Sequence, residues 1–133
     1  MISKEIYLLK RVRGDGEQME IAEKIIGDIC IISISGRIDT VTSKDVEAKL
    51  DGAIEESKDK IIINLAKMDY ISSVGLRVLL AALKKQRQNQ GSLQLASLQP
   101  FVQNIFKITG LDMVFKVYPT EDAALKSLTS VEV

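Results

Sequence analysis

Apolar positions along the chain fall into two spacings, and the switch between them marks out the elements. Glu20 to Ile26 and Ile29 to Ser35 are two strand-like runs separated by Gly27-Asp28, a dipeptide suited to a tight hairpin turn. The order Gly-Asp is a weaker hairpin signal than Asp-Gly or Asn-Gly. The β-branched isoleucines of the second run fit a pleated, buried surface better than a helix. Gly36-Arg37-Ile38-Asp39 leads out of that strand. Val46, Leu50, Ala53 and Ile54 then recur at i, i+4, i+7 and i+8, the pattern of one buried helix face. Thr42 is placed to cap this helix, with Asp45 three residues later and Val41 and Val46 spaced for a hydrophobic staple.

Ile61-Ile62-Ile63-Asn64-Leu65 is a short continuous apolar run. Its length and β-branching predict a strand covered on both faces. A loop is expected from Ala66 to Ile71, then a helix from Ser72-Ser73 to about Asn89 that is apolar nearly all round in its first half. Gly91 is read as its stop. Leu93 to Ser97 makes another strand, and Pro100 suits the first turn of a helix that Gly110 ends. Val114 to Tyr118 is a last short strand, and Thr120 with Glu121 and Asp122 opens a final helix facing inward through Ala124, Leu125 and Leu128. Before Glu20 the pattern fades. Ile6 to Leu9 has strand character, and Arg11 to Gly16 reads as a solvated loop.

The order β-β-α-β-α-β-α-β-α predicts a single α/β domain. Its sheet is mixed but mainly parallel, with right-handed crossovers and helices packed against it. Residues 1–19 are an N-terminal extension, a short strand or a partly disordered stretch, and 20–133 form the domain.

Composition removes chemistry more than it adds any. The 133 residues carry 18 Lys+Arg against 18 Asp+Glu, which disfavours a protein held to nucleic acid by phosphate neutralisation. There is no histidine, so no Ser-His-Asp or Cys-His pair and no His-containing zinc site can form. The single cysteine, Cys30, is flanked by isoleucines and reads as a small core residue in a thiol-tolerant setting. No metal and no cofactor are expected. No apolar run reaches the ~18 residues of a membrane span, and the N-terminus lacks a signal-peptide centre, so the expected location is the cytoplasm.

In α/β sheets function collects where strand C-terminal ends meet helix N-termini. Two such turns stand out: Gly36-Arg37-Ile38-Asp39, and Asp69-Tyr70-Ile71-Ser72-Ser73-Val74-Gly75-Leu76. Ser72 or Ser73 can serve simply as an N-cap. Gly75 asks for more, since glycine in a first helical turn costs up to ~1 kcal/mol against alanine and points to a close contact with another backbone. Asp39 can likewise be a turn or cap acid.

The stretch Asp69 to Leu80 resembles the signature of the STAS domain family, named for sulfate transporters and anti-sigma factor antagonists. Gly36-Arg37-Ile38-Asp39 resembles that family's Gly-x-hydrophobic-Asp segment. Gly91 to Leu95 and Ile108-Thr109-Gly110-Leu111 fall where the family has its next strand and its helix-ending Gly-Leu, so the likeness runs from about Glu20 to Leu128. In the anti-sigma antagonists the central turn reads Asp-Ser-Ser/Thr-Gly-Leu and its first serine is phosphorylated by a kinase that is also the anti-sigma factor. The resemblance implies Ser73 as phosphoacceptor, with Ser72 as the fallback, and Gly75 and Leu76 as the Gly-Leu pair. Ser72 stands where the family has its acid, and Val74 where it has a second hydroxyl.

The resemblance further implies a non-enzymatic binding module with no catalytic residues. Its partners would be an anti-sigma factor with serine kinase activity and a PP2C-type phosphatase that resets the switch. No direct nucleic acid binding and no membrane span are implied, and the chain would be a monomer or weak dimer. Both motif turns should project from one end of the sheet, making Asp39, Thr40, Ser72, Ser73, Gly75, Leu76 and Arg77 one docking face. The same fold also serves in lipid ABC-transporter complexes and stress-sensing assemblies. A small nucleotide-binding domain or enzyme using Ser72-Ser73 is a further alternative, although neither GxxxxGK[ST] nor GxGxxG is present. Between Asp69 and Asp112 there is no acid, while Arg77, Lys84, Lys85, Arg87 and Lys107 lie inside that stretch. They read as a basic docking strip or as cations complementing a helix C-terminus.

Overall fold

A two-residue turn organises the first half of the chain. Gly27 has φ of 61° at the first turn position, the placement a II′-type hairpin needs, so Gly-Asp is here the fitting order. The turn joins β2 (Glu17–Ile26) to β3 (Ile29–Ile38) in antiparallel register from Ile26↔Ile29 to Met19↔Gly36. The computed structural model describes residues 8–14, 17–56 and 58–129. The remaining elements are β1 (Leu8–Gly14), α1 (Ser43–Glu55), β4 (Lys60–Asn64), β5 (Met68–Ile71), α2 (Ser73–Gln88), β6 (Ser92–Ala96), α3 (Pro100–Thr109), β7 (Val117–Tyr118) and α4 (Glu121–Thr129).

The seven strands form one sheet in the order β1-β2-β3-β4-β6-β7, with β5 beside β3. The pairs β3–β4, β3–β5, β4–β6 and β6–β7 are parallel. Helices α1, α2 and α3 cover one face, where Cys30, Ile32, Ile34, Ile61, Ile63 and Leu95 meet Val46, Leu50, Leu79, Leu83, Val102 and Phe106. On the other face Ile29, Ile31, Ile62 and Ala96 pack with Ala124 of α4. Both sides of Ile61-Ile62-Ile63 are therefore buried, as a doubly covered strand requires.

Several expectations are corrected. Residues 11–14 are not a loop: β1 runs to Gly14 because its partners on β2 continue to Glu17. Ile6, Tyr7, Asp15 and Gly16 lie outside the described residues. The expected loop before α2 contains β5. Central β3 carries two parallel neighbours in succession, β4 along Ile29 to Ser33 and β5 from Gly36 onward, with a register irregularity at Gly36/Arg37. Helix α2 is stopped by Gln90, at φ 64°, and not by Gly91. The Gly91 N–H bonds to Gln86 O (2.8 Å) and the Gln90 N–H to Arg87 O (2.9 Å), a Schellman ending. Gly91 is required for another reason: a Cβ there would lie 2.8 Å from Asp59 O. The last strand is shorter than expected, because Leu111–Met113 forms a 3-10 turn and Phe115 packs against Phe106 at 5.8 Å between ring centroids.

Candidate functional site

The two motif turns leave the sheet side by side. Strands β3 and β5 end level, with Ile38 paired to Ile71, and the Ser72 N–H donates to Ile38 O at 2.9 Å. The residues after these strand ends, Asp39-Thr40 and Ser72-Ser73, are thereby brought together. Gly75 seats the first turn of α2 on the same two strands. A Cβ there would lie 2.8 Å from Ile38 Cγ2 and from Ile71 Cγ1. The crowding that excludes a larger residue comes from side chains, not from the backbone expected from sequence.

The adjacent serines have different environments. Ser72 is half-buried with extended backbone, and its Oγ accepts the Gly75 N–H at 3.2 Å, the N-cap of α2. Ser73 is the first helical residue, it is exposed, and its hydroxyl makes no hydrogen bond among the described residues. Leu76 is half-buried against the core, whereas Arg77 is exposed.

Asp39 and Thr42 build the other turn reciprocally. Asp39 Oδ1 accepts the N–H groups of Val41 and Thr42, both at 2.9 Å. Thr42 Oγ1 accepts the Asp39 N–H and lies 2.9 Å from Arg37 O, to which it donates. The Thr42 amide, followed by the other donors around it and the Arg37 charge, holds the Asp39 carboxyl below its ordinary value. Thr42 is thus not a side-chain cap of α1, and Val41, at 48% exposed, is not buried in a staple with Val46. Thr40 is exposed at the tip.

Sequence reasoning assigned nothing to Arg37 and Tyr70. They are register partners on β3 and β5, and the guanidinium lies 4.2 Å from the ring centroid. The signal was invisible until Met68–Ile71 is known to be a strand. The basic strip fares differently. Lys85 is paired with Asp51 of α1 at 2.8 Å, and Arg87 donates to Val114 O at 3.1 Å, so two of its cations are engaged within the fold.

Cys30 is buried, as expected, with Sγ 3.4 Å from Glu23 Oε2. Burial, then the Glu23 charge, pushes its thiol up to about 12, so it holds no thiolate at neutral pH. Among the described residues no group of three or more Cys, Asp or Glu side chains is gathered to hold a metal ion, and no helix is long and apolar enough to cross a membrane. An open hollow of about 270 Å³ on the sheet, lined by residues including Glu20, Ser33, Ser35, Asn64 and Lys67, includes neither Ser72 nor Ser73.

Comparison with known proteins gives a consistent pattern. The model of the STAS domain matches residues 20–124. BtrV of Bordetella bronchiseptica is 33% identical over 106 residues, spanning 80% of this chain and 91% of its own length. The anti-sigma F factor antagonist of Paenibacillus polymyxa is 30% identical over 106 residues, spanning 79% of this chain and 88% of its own. Among solved structures, an anti-sigma factor antagonist from Mycobacterium paratuberculosis superposes with a TM-score of 0.79 at 27% identity, covering 84% of this chain and 95% of that one.

Proposed function

Because this chain belongs to the STAS domain family, we propose that it is an anti-sigma factor antagonist, a protein-binding module switched by phosphorylation of Ser73. Unphosphorylated, it holds an anti-sigma factor with serine kinase activity and so frees the sigma factor. Phosphorylated, it lets go, and a PP2C-type phosphatase resets it. The cycle runs in the cytoplasm. The docking face comprises Asp39, Thr40, Ser72, Ser73, Leu76 and Arg77, with Gly75 beneath it setting how closely α2 approaches the sheet.

The observation that carries this reading is the contrast between the two serines. Ser72 is committed to capping α2, while the Ser73 hydroxyl is exposed and unbonded among the described residues. A kinase can reach Ser73 without dismantling the helix start. A phosphoserine brings about −1.5 to −2 charges and three acceptor oxygens. At a helix N-terminus that charge is tolerated by the dipole, so the fold survives. The penalty falls on the complex, where a solvated charge would have to be buried in the interface.

Incubation with candidate anti-sigma kinases and ATP, followed by phosphopeptide mapping, tests the proposal. Label is expected on Ser73 in the native chain and in Ser72→Ala, and lost in Ser73→Ala. Pull-down with the unphosphorylated chain should recover an ATPase-fold kinase. Absence of label on either serine, or recovery of an ABC-transporter subunit instead, would transfer the chain to another STAS assembly.

A further inference from the structure

We infer, resting on Ser73 as the phosphoacceptor, that Arg77 is the group that receives the phosphate once it is attached. Ser73 and Arg77 are four residues apart on α2 and both are exposed. That spacing makes them neighbours on one helix surface, with Cβ atoms about 5–6 Å apart. Arg77 is the sole cation from Ser73 to Leu83, and its guanidinium has no ion pair or hydrogen bond among the described residues.

Two other charged groups at this end of the sheet are already engaged. Arg37 lies over the Tyr70 ring, and Asp39 Oδ1 is held by two amides of its own turn. Further along α2, Lys85 is paired with Asp51. The first turn of α2 contains no acid that would compete for Arg77. The order also suits the pair, since an anion four residues N-terminal to a cation is the better orientation on a helix. An arginine can meet two phosphate oxygens at once with parallel N–H donors.

The consequence concerns how modification rewrites the docking face. Phosphate alone would add negative charge beside an unchanged arginine. Captured by Arg77, it also withdraws a cation that the unmodified face offers to a partner. One covalent event then changes two charges of that face.

The test needs no kinase. Phosphoserine is placed at position 73 during synthesis of the full chain, and its second ionisation is followed by phosphorus NMR in the native sequence, Arg77→Gln and Arg37→Gln. With Arg77 present the phosphate should titrate about 0.3 units or more lower than in Arg77→Gln, roughly a twofold shift in the protonation equilibrium. Arg37→Gln should leave the titration where it is, and circular dichroism checks that all three chains are folded. Coincident curves for the native sequence and Arg77→Gln, or a shift with Arg37→Gln instead, would overturn the assignment. Failure of any kinase to label Ser73 is a separate result. It would remove the switch while leaving this titration readable.

Discussion

The amide of Ser72 is hydrogen-bonded to the carbonyl of Ile38 at 2.9 Å, which ties the start of α2 to the last residue of β3. That one bond joins two turns lying more than thirty residues apart in sequence. It explains why Gly75 is glycine: with α2 anchored there, its first turn has no freedom to back away from Ile38 and Ile71.

Replacing Gly75 with alanine should therefore destabilise the fold. The added methyl meets Ile38 Cγ2 and Ile71 Cγ1 at 2.8 Å, both close to the backbone on stiff β-branched side chains. Overpacking of this kind costs about 1–3 kcal/mol, against a helix-propensity gain of about 1 kcal/mol at most. Urea unfolding should show a lower midpoint with an unchanged slope. A midpoint equal to or above that of the native chain would mean the contact relaxes freely.

The adjacent serines should separate cleanly in stability. Ser72→Ala removes the acceptor of the Gly75 N–H and should cost about 0.5–2 kcal/mol, the usual range for a lost N-cap. Ser73→Ala removes an exposed hydroxyl and should stay within about 0.5 kcal/mol of the native chain. Thermal unfolding of the two variants side by side reads the difference, and equal losses would contradict the division of roles.

Acid should weaken the Asp39 turn. Its folded carboxyl lies below the ordinary value, led by the Thr42 amide, so its contribution is complete above the unfolded pKa of about 3.9. The contribution is then lost as pH falls through the lower folded value. Asp39→Asn keeps an acceptor oxygen but cannot titrate. The melting-temperature gap between the native chain and Asp39→Asn should accordingly be constant from pH 7 to about 5 and shift against the native chain between about pH 4 and 2. A gap that stays constant to pH 2 would show that the carboxylate is not held as described.

At the other end of α2, Gln86 is buried and its Nε2 donates to Lys58 O at 2.6 Å and Ser92 O at 3.2 Å. Gln86→Leu preserves much of the volume but leaves those carbonyls without their donor, at a cost of about 1–3 kcal/mol. Denaturant unfolding gives the magnitude. Amide exchange should quicken at Gly91 and Ser92, whose N–H groups bond to Gln86 O and Asp59 O. Unchanged stability in Gln86→Leu would remove the clamp.

What the sequence revealed and what it hid divide along the range of the interactions. Each helix was legible, because its inner face, as in Val46-Leu50-Ala53-Ile54, is a local periodicity. The doubly covered Ile61–Ile63 strand was legible from another local signal, its short length and β-branching. Met68–Ile71 was not, since its four residues become a strand only where β4 has left the edge of β3 free. The pairing of Arg37 with Tyr70 was hidden with it. At the site, the motif turns and their shared end of the sheet could be anticipated. Which serine caps and which stays open depends on one hydrogen bond, to Gly75 N, and two neighbouring hydroxyls offer it equally in sequence. Of the basic strip, the engagement of Lys85 was not legible, because its partner Asp51 arrives from α1, 34 residues earlier.

Helix α2 is fastened at both ends, by Ser72 to a strand terminus and by Gln86 to a carbonyl just before β4 and to that of the first residue of β6. Under the proposed function, a docking face mounted on such a brace arrives at an encounter already shaped. Little ordering is left to complete after contact, so its association rates should respond to salt and viscosity more than to any slow rearrangement of this chain.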